Sequence, residues 1–196
     1  MNFFSYSHND EQKFGILDKD LITDLTGKIS GATTLKDLIL KKGISEAKKY
    51  ASVNPGNLSV NDIEYLPLIP NPGKIICVGL NYSEHVKETN RTVEENPVIF
   101  HRFPESQTAH LQSIQRPIVS QSLDFEGEMA VIMGEGGKHI KPEDALNHIV
   151  GMIIILIWLL IFLMKRVSGL SAIISFISLP IVIYFMSDSF MFFLIS

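Results

Sequence analysis

Three acidic residues alternate along Asp124-Phe125-Glu126-Gly127-Glu128, and the apolar run Met129–Met133 follows directly. Successive side chains of a β-strand point to opposite faces, so Asp124, Glu126 and Glu128 would share one face, with Met129, Val131 and Met133 on the other. Like charges at that spacing repel unless solvent or a cation separates them. Paired glutamates suit a hard divalent ion such as Mg²⁺, which prefers oxygen ligands. An exposed acidic strand edge explains the same pattern without an ion. A second constellation, Asn81-Tyr-Ser-Glu-His85-Val-Lys-Glu88, follows a glycine-terminated apolar run. One helical turn would bring His85 and Glu88 together. A carboxylate on one imidazole nitrogen fixes the tautomer and raises the basicity of the other, as a general base requires. By itself this spacing more often marks a salt pair on a helix surface. Arg102 closes a further apolar run, and its planar fork suits a substrate carboxylate, although an ordinary surface arginine fits there too.

The elements that would position these groups are short. FFSYS, KFGILD and LITDLTG read as strands divided by turn residues at Asn9–Asp10, Asp18–Asp20 and Gly27. Thr34 is placed to cap a helix through Leu40, with Asp37 three positions on completing a capping box. A second helix is expected over Ser45–Ser52. Neither gathers catalytic residue types, so residues 1–70 read as a small α+β scaffold unit. Pro70-Asn-Pro-Gly73 punctuates the chain. Beyond it, Lys74–Val78, Pro97–Phe100 and Glu126–Met133 read as strands, Tyr82–Thr89 as a helical turn or two, and Pro142–His148 as a short helix. Proline in that first turn costs no hydrogen bond.

Composition narrows the function classes. A formal net charge of −4 gives no support for a nucleic-acid partner. Cys77 is the single cysteine, so no intrachain disulfide can form, and its apolar surroundings suit a small buried hydrophobe. His101, His110, His139 and His148 lack metal-ligand spacing, and Gly134-Glu-Gly-Gly137 lacks the Lys-Ser/Thr of a phosphate loop. The N-terminus has no basic leader followed by a long apolar core, and no signal peptide is expected.

Taken together, KIICVGLNYSEHVKE, PVIFHRFPESQ, RPIVSQSLDFEGEMAVIMGEGG and EDALNHIVG resemble the fumarylacetoacetate hydrolase family. The resemblance implies a mixed β-roll-like catalytic domain over residues 71–151, often homodimeric. Its implied chemistry is metal-dependent hydrolysis or lysis of a β-keto or β-diketo acid. Residue by residue, it makes His85 and Glu88 the water-activating dyad and Glu126 and Glu128 ligands to Mg²⁺ or Mn²⁺, with Arg102 toward the substrate. The family continues past its equivalent of His-Ile-Val-Gly151 with a stretch holding a third carboxylate ligand. In this chain that position is Ile157, so the ion is expected to be weakly held and the activity impaired by truncation.

All but two of the 17 Lys/Arg and all but one of the 21 Asp/Glu precede Met152. Ile149–Met164 would reach about 24 Å as a helix, short of the hydrocarbon layer, whereas Val167–Met186 could span it alone, kinked at Pro180. Residues 152–196 are therefore expected to form hydrophobic, membrane-inserting helices. Lys165 and Arg166 between them favour a cytoplasmic connector, with residues 1–151 on that side. Trp158–Met186 resembles late membrane segments of bacterial acyl-phosphate:glycerol-3-phosphate acyltransferases. The whole reads as an incomplete α+β hydrolase domain followed by hydrophobic helices, with a keto acid and a lipid bilayer as partners. The competing reading is a non-catalytic membrane-associated protein or a fragment of such an acyltransferase.

Overall fold

A computed structural model describes residues 2–80, 96–159 and 192–194. Strands β1 (Asn2–His8), β2 (Glu11–Asp18) and β3 (Leu21–Asp24) form successive antiparallel hairpins. Asn9 and Asp10 both take positive φ, at 53° and 61°, the handedness that matches a two-residue turn to the twist of its strands. Short strands β4 (Leu58–Ser59) and β5 (Glu64–Tyr65) complete a sheet of order β4-β3-β2-β1-β5.

Both faces of this sheet are covered, which is why four consecutive residues of β1, Phe3 to Tyr6, are buried. Phe3, Phe14 and Ile16 pack against α1 (Leu35–Leu40) and α2 (Ile44–Val53) through Leu35, Leu38, Ala47 and Ala51. Phe4, Tyr6 and Ile22 meet Leu58, Val60, Ile63 and Leu68 on the other side. Thr34 caps α1 as the spacing predicts: its side chain accepts from the Asp37 N–H, and the Asp37 carboxylate returns a bond to the Thr34 N–H. Hydrogen bonds led by the Thr33 hydroxyl hold the Asp37 carboxyl below its ordinary value.

Beyond Gly73 the sheets are smaller. Strands β6 (Ile75–Gly79) and β7 (Val98–Arg102) pair antiparallel, with Cys77 opposite Phe100. Strand β8 (Asp124–Met133) pairs antiparallel with β9 (Ile149–Leu159), from Asp124 opposite Leu159 to Met133 opposite Ile149. A register shift between Ile132 and Met133 leaves Val150 as the extra residue of a bulge. Strand β10 (Phe192–Leu194) lies parallel along the other edge of β9. Several side chains tie this half to the first sheet. Gln107 Nε2 donates to the Ile69 carbonyl at 3.3 Å, His110 sits edge-on to Tyr65, and Lys42 pairs with Glu135 at 2.8 Å.

The apolar run after Val150 corrects the expectation of hydrophobic helices. Ile149–Leu159 is a strand that crosses Gly151 without a break, and no helix among the described residues is long and apolar enough to cross a membrane. A continuous apolar run does not distinguish a buried strand from a buried helix by periodicity. Here four isoleucines at 153, 154, 155 and 157 tip the choice, because β-branched side chains suit a pleated ladder. The long free edge of β8 supplies the pairing partner. The expected membrane location, transmembrane helix and lipid-bilayer partner are thus contradicted by the described residues, which hold a strand where the first helix was expected and no membrane-length apolar helix. The second expected span, Val167–Met186, lies outside the described residues.

Two outcomes test these assignments. Thr34→Ala should lower stability by about 1 kcal/mol in chemical denaturation at neutral pH. Because the Asp37 carboxyl is depressed in the folded chain, its contribution is present above the ordinary carboxyl value and fades as pH falls through the folded one. Asp37→Asn should therefore separate from the wild type at neutral pH and converge with it in acid. In β9, Ile155→Pro removes a ladder donor from a strand paired on both sides, and is expected to strip amide-exchange protection from Asp124–Met133. Unchanged protection there would mean that the two segments are not paired.

Candidate active site on the β8–β9 ladder

Strand β8 owes its place to its two kinds of residue. Met129, Val131 and Met133 are exposed and alternate with half-buried Ala130 and Ile132, while its first half carries the acidic positions. Directly opposite residues of an antiparallel pair occupy the same face. In the observed register Glu126 is opposite Ile157, Glu128 is opposite Ile155, and Asp124 is opposite Leu159. The ladder thus sets one face with three acidic positions on β8 and three hydrocarbon positions on β9. Glu128 is half-buried and has an interaction partner of its own.

Glu126 and Glu128 are the oxygen donors that the sequence resemblance assigns to a divalent ion, and the isoleucines paired with them carry no side-chain oxygen. Among the described residues no three His, Cys, Asp or Glu side chains are grouped as an ion would require, and His85 and Glu88 lie outside those residues.

The other expected site residues fall in different places. His85 and Glu88, with the helical turn expected over Tyr82–Thr89, lie outside the described residues. The chain leaves β6 through Leu80, whose φ of 55° is one that side-chain-bearing residues adopt at a cost of about 1–2 kcal/mol. Nothing in the leucine itself signals that turn. Arg102 is half-buried at the far end of β7, opposite Ile75, whereas the segment holding His85 leaves from the Gly79–Val98 end. Four residues of strand separate the two ends, roughly 13 Å at 3.3 Å per residue. The hairpin by itself therefore does not bring Arg102 beside the start of that segment.

Three histidines set aside for lack of ligand spacing have packing roles. His110 meets Tyr65, His101 meets Phe103 edge-on at 5.4 Å, and His148 Nδ1 lies 2.7 Å from the Glu135 carbonyl. The last of these closes the excursion from β8 to β9, where the Gly134 N–H also donates to the His148 carbonyl. Lys42 holds the Glu135 carboxyl below its ordinary value and braces the same loop against the first half of the chain. Cys77 is half-buried in β6 rather than a core residue.

Comparison with known proteins follows this geometry. Residues 74–159 match the family described as fumarylacetoacetate (FAA) hydrolase C-terminal. Mitochondrial oxaloacetate tautomerase of Xenopus laevis is 40% identical over 111 residues, covering 57% of this chain and 35% of that protein. A human mitochondrial oxaloacetate tautomerase is 36% identical over 108 residues, 55% of this chain and 34% of its own length. The match thus spans about a third of these curated relatives. Among solved structures, fumarylacetoacetate hydrolase from Exiguobacterium antarcticum superposes with a TM-score of 0.65 at 26% identity, over 81% of this chain and 56% of that one. Maleylpyruvate hydrolase from Sphingobium sp. SYK-6, solved with manganese(II) and pyruvate, gives a TM-score of 0.63 at 20% identity, over 80% and 59%. Coverage of 81% exceeds what residues 74–159 alone supply, so the likeness in fold takes in part of the N-terminal half. None of these matches supports the acyltransferase resemblance, which past Leu159 rests on residues outside those described. Trp158 and Leu159 themselves belong to β9 and to the matched region. The likeness of this chain to the fumarylacetoacetate hydrolase family is thus carried by residues 74–159.

Proposed function

We propose that residues 74–159 contribute one side of a site that acts on a short keto acid, with proton transfer next to the ketone as the central step. The observation that carries this reading is the acidic strand Asp124–Glu128, held in register by β9 inside the matched region. Relatives with the same elements are named as oxaloacetate tautomerases and as a maleylpyruvate hydrolase. Those reactions share an acidic C–H beside a carbonyl. In tautomerisation, removing that proton gives an enolate that is protonated at oxygen; in hydrolysis, water adds to a ketone, the C–C bond breaks to release the enolate, and the enolate is then protonated at carbon.

The roles follow from the side chains of this chain. His85 accepts the proton from carbon or from a water, and Glu88 fixes its tautomer. Arg102 binds a carboxylate of the substrate. Glu126 and Glu128 present the acidic wall. Glu126 and Glu128 would hold a divalent ion, whose positive charge would stabilise the developing oxyanion. The competing reading is a non-catalytic keto-acid-binding module.

The test is loss of the oxaloacetate enol signal and release of pyruvate from acylpyruvates, measured on the full chain. His85→Ala is expected to lower whatever turnover is present by roughly 100-fold or more, as for other general bases. Arg102→Lys keeps the charge but loses the fork, and should raise KM more than it lowers kcat. Turnover indifferent to both His85→Ala and Glu126→Ala would remove these assignments.

A further inference from the structure

The strand that ends in Arg102 is not fixed by its own hairpin. Among the described residues β6 and β7 pair only with each other, and both faces of the pair are open, with Ile76 61% and Phe100 46% exposed. A two-stranded hairpin of that kind is marginal in water. What holds its far end is the chain that follows. We infer that Gln107 and His110 are positioning residues for Arg102, tying the arginine's end of β7 to the N-terminal sheet. The inference rests on the proposed role of Arg102 toward a substrate carboxylate.

The tie is short and stiff. A single 3₁₀ turn, Pro104–Ser106, follows Arg102 almost at once, and proline presets its first φ. The Ser106 N–H and hydroxyl both donate to the Phe103 carbonyl, at 3.0 and 2.7 Å. Gln107 joins this turn to the first half of the chain: its Nε2 donates to the Pro104 carbonyl at 3.2 Å and to the Ile69 carbonyl at 3.3 Å. Further on, His110 stands edge-on to Tyr65 at 4.9 Å, beside buried Ala109, and Gln112 Nε2 donates to the Tyr65 carbonyl. The anchors are themselves held. Tyr65 pairs with Tyr6 of β1, and the hydroxyl of buried Ser5 donates to the Leu68 carbonyl at 2.8 Å. A guanidinium fork grips a carboxylate in one orientation, so an arginine whose backbone wanders keeps its charge and loses its grip. The Lys42–Glu135 pair is exposed and enters at the β8–β9 loop, away from β7.

Side-chain NMR of the Arg102 Nε–H in the full chain, assigned by its loss in Arg102→Lys, reads the tie without reference to turnover. Wild type should show a resolved signal protected from solvent exchange. Gln107→Met removes the donor at similar size and His110→Ala removes the ring, and each should shift or broaden that signal. His110→Phe should restore it, and Lys42→Ala, which cuts the other tie between the halves, should leave it in place. An Arg102 signal indifferent to Gln107→Met and His110→Ala, averaged in wild type as in a free arginine, or moved as much by Lys42→Ala, would overturn the inference. Should Gln107→Met fail to fold, the comparison of His110→Ala with His110→Phe decides the matter. On oxaloacetate, both variants should raise KM roughly threefold to tenfold, what one net hydrogen bond or ring contact supplies, with little change in kcat. Adding either to Arg102→Lys should raise KM no further, and a full additional rise would detach the strap from the arginine. Absence of keto-acid turnover in wild type would sink the proposed activity, and the NMR comparison would still decide the tie.

Discussion

The pairing of β8 with β9 is the constraint on which the rest of the second half depends. Ten positions of β8 are matched across that ladder, and the match determines which residues stand opposite the acidic ones. A slip of one residue would exchange the faces of the whole strand. Several features hold the register. The bulge at Val150 lets Ile149 reach Met133, the Gly134 N–H bonds the His148 carbonyl, and His148 packs its ring nitrogen against the Glu135 carbonyl. Lys42 fastens Glu135 to the first half of the chain. The first half of the chain thus touches the loop that joins β8 and β9 through an exposed ion pair, although it contributes no proposed catalytic group.

Seen from this ladder, the apolar residues after Gly151 serve the acidic strand as its neighbour. Strand pairing satisfies the backbone groups along one edge of β8, which would otherwise be open to other chains. Pairing is a backbone matter and tolerates isoleucine well; coordination is a side-chain matter and does not tolerate it at all. The same substitution can therefore leave a sheet in place while removing a ligand from it. A family match over residues 74–159 therefore speaks to the strands and their pairing, and not to the donors that an ion would need.

Much of the first half was legible from local pattern. The Asn9–Asp10 turn, the Thr34 capping box and the alternation of β1 to β3 each depend on neighbours a few residues away, and the structure has them where the sequence places them. Arg102 shows where such reading stops. Its residue type suits a carboxylate, but its distance from the segment holding His85 follows from the antiparallel direction of β6 and β7, which no short motif records. The first of the expected hydrophobic helices failed for a related reason: apolar length was read as helix, whereas the partner strand that claims Ile149–Leu159 begins 25 residues earlier in the chain.

Residue identity alone determined the kind of chemistry on offer: paired glutamates for a cation or an acidic wall, a histidine with a glutamate one turn away, and motifs shared with a known superfamily. It also determined that position 157 brings no oxygen, since that is a property of isoleucine in any fold. Only the tertiary structure decided that the apolar run is a strand and that position 157 stands across from Glu126. Those outcomes depend on long-range backbone pairing and its register, and the free energy of that pairing is shared between segments that neither one encodes by itself.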